Sequence, residues 1–308
     1  MKEGMNFGNG TVMQAVPEHL EATENRLRFS VTRNGVFENG VLNHPSIRVG
    51  EYGDWKKFAK EMDFAVIAIP STQEERYAPE YIKYFWRKGK PVIFASKQFL
   101  ASNGGIMLAK QREGLVYLNA AVGGTTEMPD KVTSFPEPIR EIKAVMNGTT
   151  NYIGWADRQG RAHQTILQEI ESDTDAKGAR NLSTVLWAEL INDLVLGKVP
   201  IVANLSGMFE KIITYTDVTF VPPPENGLSK KRGAVHITPE RILAGFIVGP
   251  EEEATWFPNG FPEERDNVLV INGKEVARGV GSGPRTAETI ARDIRRAMGA
   301  RTVIENPI

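Results

Sequence analysis

Cysteine is missing from all 308 residues. That excludes disulfides, thiolate metal sites and a cysteine nucleophile. Histidine is scarce. His19, His44, His163 and His236 stand singly, with no metal-ligand spacing, so no metal site is expected. No apolar run approaches the ~18 residues that a membrane span requires, and the opening "MKEGMNFGNG" has no apolar leader core. Neither sign of charge dominates. Lys and Arg number 37 against 38 Asp and Glu, a net charge of −1. Neither nucleic acid nor an anionic membrane surface is therefore an expected partner. Internal repeats and low-complexity tracts are also lacking. What is present, 41% hydrophobic and 24% charged residues, is the composition of a soluble globular protein, expected in the cytoplasm. The length suits two domains or one large one.

Strand-like and helix-like segments alternate through the first 120 residues. "RLRFSVT" has strand composition and "DWKKFAKEM" (54–62) has helical spacing. "FAVIAIP" (64–70) is a continuous apolar run closed by proline, as in a strand buried on both faces. A helix is expected over 79–90, a buried strand over 91–96, a glycine-interrupted helix over 98–113 and a strand over 114–122. This rhythm predicts an α/β fold: a Rossmann-like parallel sheet with helices on both faces. Beyond Gly123-Gly124 the texture changes. A strand over 139–146 leads into two long helical stretches, roughly 151–171 and 176–197. Strand-like pieces follow at 211–221 and 267–273, with loops over 221–233 and 250–266 and a final amphipathic helix over 286–298. A second, α+β domain is expected here.

"FGNGTVMQAV" (7–16) carries the first two glycines of a dinucleotide-binding turn, Gly8 and Gly10, with Met13 in the third position. Such a turn brings backbone N–H groups at a helix start toward a pyrophosphate. Methionine in place of the third glycine needs a wider helix–sheet gap, at ~1–3 kcal/mol if the packing were otherwise unchanged. The preceding strand, "KEGMN", is short of apolar residues. At the end of the second strand stands Arg33 rather than an acid. A guanidinium suits a 2′-phosphate, so NADP is the expected cofactor and NAD the alternative. A plain glycine turn and a surface arginine are the non-functional readings.

Four segments in order, "FGNGTV" (7–12), "FASKQFLA" (94–101), "NAAVGG" (119–124) and "VMNGTTNYI" (145–153), resemble homoserine dehydrogenase. A fifth, "GVGSGPRTAETIARDI" (279–294), resembles the segment that returns that family's C-terminal helix to the nucleotide domain. The Asn-Gly-Thr-Thr-Asn-Tyr stretch is the specific match. The resemblance implies a dinucleotide-binding domain over 1–122 plus 280–308 and a substrate-binding and dimerisation domain over 123–279. With the chain ending at Ile308, a form without a C-terminal regulatory domain is expected. Gly8, Gly10, Thr11, Val12, Arg33, Gly281, Gly283 and Thr286 become the expected cofactor-binding residues. Asn147, Gly148, Thr149 and Thr150 become substrate-binding, at a strand end where the helix start favours an anion such as a carboxylate. Lys97, at the tip of a parallel strand, becomes a candidate to hold the substrate oxygen or relay a proton.

The sequence departs from that family in two places. Its acid–base pair, an aspartate and a lysine four residues on, falls in "QEIESDTDAKGARN" (168–181). One frame puts Lys177 at the aspartate position and Asn181 at the lysine position. The other pairs Asp173 with Lys177, so Lys177 and Asp173 are named as catalytic candidates with both frames open. Glu169 or Glu171 is the candidate amine-binding carboxylate. Second, Asn119 stands where the family has a cation-binding glutamate. The function implied is NAD(P)-dependent hydride transfer between the nicotinamide and L-homoserine/aspartate semialdehyde or a related hydroxy amino acid, by a homodimer. The alternative is a non-catalytic relative that kept the fold as a nucleotide-binding or scaffold protein.

Overall fold

The structure, a computed structural model, describes residues 1–8, 10–21, 23–39, 46–171, 181–223, 231–281 and 283–304. The chain forms two compact units, one of Met1–Phe99, Ile106–Ala121 and Gly283–Ile308, the other of Leu100–Gly105 and Val122–Ser282.

The elements run β1 (Lys2–Phe7), α1 (Thr11–Leu20), β2 (Asn25–Thr32), β3 (Gly35–Glu38), β4 (Ile47–Gly50), α2 (Trp55–Ala59), β5 (Phe64–Ile67), α3 (Ser71–Arg87), β6 (Val92–Phe94), α4 (Gln98–Ser102), α5 (Gly104–Arg112) and β7 (Val116–Tyr117), all in the first unit except the Leu100–Gly105 part of α4 and α5. Among the described residues they build a seven-stranded sheet of order β4-β3-β2-β1-β5-β6-β7. The run from β2 to β7 is parallel, and β3 and β4 are added antiparallel at one edge. β1 is central, paired with β2 on one side and β5 on the other. The strand expected to be poor is therefore a full six residues, and Met5 and Phe7 are buried.

One face of this sheet is covered by α1 and the C-terminal helix, Gly283–Ile304. Ala287, Ile290, Ala291, Ile294, Ala297 and Met298 recur at helical spacing and share a core with Val16, Leu20, Phe64, Val66 and Ile93. Met13 lies in that same core, 3% exposed, so a packed side chain fills the position where a glycine was expected. Beneath the opposite face Phe7 stacks on Tyr81 at 3.9 Å, with Trp55 and Phe85 edge-on.

The second unit begins with α6 (Met128–Thr133) and β8 (Ile142–Val145), followed by α7 (Gly148–Arg158), α8 (His163–Glu171), α9 (Leu182–Glu189), a π-helical stretch Leu190–Lys198 and α10 (Val199–Leu205). Then come β9 (Val218–Val221), β10 (Arg232–Thr238), β11 (Arg241–Val248), α11 (Glu253–Trp256), β12 (Asp266–Ile271) and β13 (Lys274–Val280). Its sheet has order β13-β12-β8-β10-β11-β9, with β8 antiparallel to both β12 and β10. The observed fold is thus a mostly parallel Rossmann-like sheet in one unit and an α+β sheet in the other.

Several expected elements differ. The 114–122 strand is only Val116–Tyr117, because a 3₁₀ turn over Asn119–Ala121 follows. The helix expected from 79 starts at Ser71 and contains Pro79. The single helix over 151–171 is two, broken by a left-handed Gly160 whose neighbour Arg161 closes the turn onto the Ala156 carbonyl. The 211–221 strand is a 3₁₀ turn and four strand residues, as Asp217 caps Thr214 in a reciprocal box. The 221–233 loop ends in β10, and the 250–266 loop carries α11 and buried Phe257. Among the described residues no helix is long and apolar enough to cross a membrane.

Asn119 has a structural partner. Its side-chain amide donates to Asp293 Oδ1 at 2.9 Å, and the Ala120 N–H reaches the other oxygen at 3.4 Å, all buried. A glutamate at 119 would set two carboxylates together there. Replacing Asp293 with alanine strands these donors, and we expect a loss of ~1–3 kcal/mol, read from urea unfolding.

Candidate functional site

The first unit carries a cavity of about 570 Å³ at the C-terminal ends of β1, β2 and β5, lined by Gly8, Arg33, Tyr52, Gln73, Arg76 and Tyr77 among others. That end of an open parallel sheet, where the chain leaves β1 for strands on both sides, is where ligands bind in this architecture. Gly8 makes the turn. Its φ is +98°, and a Cβ there would lie 2.2 Å from the Ala68 carbonyl oxygen. Its N–H donates to Val31 O at 2.9 Å, and the Ala68 N–H donates to Phe7 O at 2.9 Å. Below the turn the buried Asn6 amide donates to Gly8 O at 2.6 Å, and the Ser30 hydroxyl lies 2.9 Å from Asn6 Oδ1.

Gly10 presents the opposite case. A Cβ there meets nothing within 4 Å, so no protein atom demands glycine. It is the N-cap of α1, it supplies no capping side chain, and no acidic residue occupies the first turn. The first amides of α1, from Thr11 and Val12 onward, thus suit an incoming anion. Arg33 is exposed in the β2–β3 turn beside the cavity. Arg76, on α3 and over the Tyr77 ring at 5.1 Å, was not foreseen. The signal for it was available: α3 starts at the C-terminal end of a parallel strand. Two guanidiniums with three tyrosines, Tyr52, Tyr77 and Tyr81, fit a phosphorylated nucleotide.

Lys97 follows β6 and is half-buried. Its backbone N–H donates to Glu74 Oε2 at 3.1 Å. Burial pushes the Glu74 carboxyl above the usual range, opposed by the Phe99 and Gln98 amides, the Ser96 hydroxyl and the Lys97 charge.

In the second unit the polar stretch 147–151 does cap α7. Asn147 Oδ1 accepts from Thr150 N at 2.8 Å, and the Thr150 hydroxyl donates to Asn147 O at 3.2 Å. Gly148 is required by a protein atom: a Cβ would come within 2.7 Å of the Arg265 carbonyl. Asn151, 1% exposed, donates to Pro262 O at 3.0 Å and Asp266 O at 3.1 Å and accepts from Arg232 at 2.7 Å. Thr149 is half-buried. Much of the motif is therefore engaged in holding α7 to its neighbours. Burial lowers the Arg232 guanidinium to about 10, aided by the Arg158 charge and opposed by Glu253.

The carboxylate the structure brings to this motif is Glu189, whose Oε2 accepts from the Asn147 amide at 3.2 Å. Lys198 Nζ donates to Met146 O at 2.7 Å. Glu189 precedes the π-helical stretch and Lys198 ends it, and nothing in residue spacing singles them out. Glu169 is instead bound by Arg161 and the Tyr152 hydroxyl, which hold its carboxyl below the usual range. Asp173 and Lys177 lie outside the described residues, as does the Glu171 side chain. Gly281 packs in the second unit, where a Cβ would meet the Asn267 amide at 2.0 Å, and its N–H donates to Arg265 O at 3.2 Å. Gly283 opens the C-terminal helix of the first unit, and Thr286 is half-buried in its first turn. Among the described residues no three His, Asp or Glu side chains are grouped to hold a metal ion.

No protein-family model matches the chain, and no curated protein matches its sequence. Solved structures do match its fold. A protein of Archaeoglobus fulgidus, provisionally described as a homoserine dehydrogenase, is similar with TM-score 0.74 and 19% identity over 96% of this chain and 98% of that one. The homoserine dehydrogenase of Thermoplasma acidophilum gives 0.70 and 15% identity over 95% and 98%. A hyperthermophilic archaeal homoserine dehydrogenase in complex with NADPH gives 0.69 and 16% identity over 100% and 99%. At such identities the likeness is one of fold: this chain has the homoserine dehydrogenase fold.

The two glycines are separable by experiment. Gly8→Ala is expected to cost at least ~1–3 kcal/mol of stability, through the strained φ and the Ala68 carbonyl. Gly10→Ala is expected to cost ~1 kcal/mol or less, as a change of N-cap residue. Thermal melts of the two variants check the contrast.

Proposed function

We propose that the protein is an NADP(H)-dependent oxidoreductase acting on a small amino-acid substrate. The observation that carries this reading is the cavity at the Gly8 turn, lined by Arg33 and Arg76, together with a helix α1 that follows the turn and has no side-chain cap. Arg33 and Arg76 suit a 2′-phosphate through charge-assisted bonds, which favours NADP over NAD. The segment over 1–122 plus 280–308 is proposed as the dinucleotide-binding domain and 123–279 as the substrate-binding and dimerisation domain.

A bound nicotinamide would donate or accept a hydride, which is the cofactor's own chemistry. In this reading Lys97 stabilises the substrate oxygen and moves the proton that accompanies the hydride. Thr149 and the first amides of α7 hold the substrate carboxylate. The pair L-homoserine and aspartate semialdehyde, or a related hydroxy amino acid, is the proposed substrate class, supported by the shared fold and by the Asn-Gly-Thr-Thr-Asn sequence. Cytoplasmic residence and a homodimer belong to the same reading.

A second reading, a nucleotide-binding protein without turnover, is favoured by one observation. Asn147, Thr150 and Asn151 all have protein partners, as does Asn119.

NADPH titration followed by nicotinamide fluorescence tests the first step. Gly10→Ala is expected to stay folded and lose binding. Arg33→Ala is expected to weaken NADPH by ~10–100-fold while sparing NADH, the ~1.5–3 kcal/mol of a hydrogen-bonded charge. Nicotinamide absorbance with NADPH and aspartate semialdehyde tests turnover. The dehydrogenase reading expects oxidation that Lys97→Ala abolishes with NADPH affinity retained. Tight NADPH binding without turnover on this or related semialdehydes supports the second reading, and failure to bind either dinucleotide overturns both.

A further inference from the structure

Glu74 is a carboxylate sealed inside the first unit. It sits in the first turn of α3, 0% exposed. Its Oε2 accepts from the backbone N–H groups of Lys97 at 3.1 Å and Gln98 at 2.9 Å, and its Oε1 accepts from Phe99 at 3.1 Å. Three consecutive amides thus converge on one side chain 23 to 25 residues earlier in the chain. Burying a carboxylate is costly, and a fold keeps one where its bonds do something an apolar residue could not. Capping alone does not account for it. A serine, threonine or asparagine within the turn itself caps a helix start without a buried charge.

The three amides belong to the turn that carries Lys97 off the end of β6. The turn is pinned on its other side too, where Ala95 N–H and Ser96 N–H both donate to Ile67 O, at 2.9 and 3.2 Å. β5 holds the turn through residues 95 and 96, and α3 holds it through 97 to 99. β5 and α3 are consecutive elements, joined by the short 68–70 segment whose Ala68 carbonyl also faces Gly8. The same piece of chain thus bounds the glycine turn and orients the turn bearing the lysine.

We propose that Glu74 is a positioning residue: its carboxylate fixes the backbone from which the Lys97 side chain is presented. The proposal deepens the oxidoreductase reading and rests on it for the role of Lys97, but the clamp itself is measurable without any substrate. Glutamine at 74 keeps one carbonyl acceptor and turns donor hydrogens toward the remaining amides, so the clamp opens with little change in volume. Aspartate keeps the charge one methylene short.

Hydrogen exchange by mass spectrometry on peptides covering 95–100, in wild type, Glu74→Gln and Glu74→Asp, is the direct test. Modification of Lys97 by trinitrobenzenesulfonate, located by peptide mapping, gives a second readout. The expected result is ~10-fold faster exchange at 97–99 in Glu74→Gln, as for loss of a charge-assisted bond. A changed Lys97 modification rate, partial recovery of both in Glu74→Asp, and unaltered exchange in β1 and β2 are expected alongside. In the turnover assay kcat should fall in Glu74→Gln while the KM for NADPH holds. Unchanged exchange and unchanged Lys97 reactivity in Glu74→Gln would overturn the proposal, whatever the activity. If Glu74→Gln fails to fold, the same two readouts on Glu74→Asp decide it, a wild-type pattern there overturning the clamp. A wild-type protein without turnover would count against the dehydrogenase reading and leave the exchange result to judge Glu74.

Discussion

The carbonyl oxygen of Ala68 occupies the space that any side chain at residue 8 would need. That single exclusion organises the first unit. It lets the end of β1 close against the end of β5 while the Gly8 N–H reaches across to Val31 at the end of β2. Three parallel strands thereby finish at one level, and the chain departs from them in both directions. A concavity at that level follows from the topology. Its lining follows from what each departing segment delivers: Gly8 after β1, Arg33 after β2, and Arg76 after β5.

The first unit was legible because it rests on local patterns. Apolar runs such as 64–67 suit a strand buried on both faces, and the Gly8 and Gly10 turn is a short-range signal. The β3–β4 hairpin was not legible. "GVFE" and "IRVG" are too short to show an alternation, and they form strands because β2 offers an open edge. In the second unit the sheet is assembled from distant pieces around β8; β11, RILAGFIV, has the composition of a strand, whereas β13, KEVARGV, gains its strand character from pairing with β12. Propensity is a weak guide where the partner strand decides.

The candidate site shows a sharper version of the same limit. The stretch 147–151 stands out in the sequence for its small polar residues, and the structure gives most of them partners inside the protein. Polar residues at a strand-to-helix junction are required whether or not a ligand is present, because helix amides and nearby carbonyls must be satisfied. Sequence can locate such a junction, but it cannot say which of its groups are left over. Glu74 and Glu189 were missed for the complementary reason. Each is an ordinary helical glutamate until the fold brings it to distant backbone or side-chain donors.

The helix that completes the first unit comes last along the chain. Met13, Val16 and Leu20 are covered by residues 287–298, so some 160 residues of another unit are synthesised before that face of α1 finds its cover. A nascent chain emerging from the ribosome must therefore carry an open apolar surface through most of its own production. The second unit is free to settle first, and docking of the first unit's final helix becomes a late, long-range step with a high loop-closure cost. Cells making this protein face their greatest exposure to aggregation in that interval, when a chaperone able to shield a bare amphipathic helix would have the most to offer.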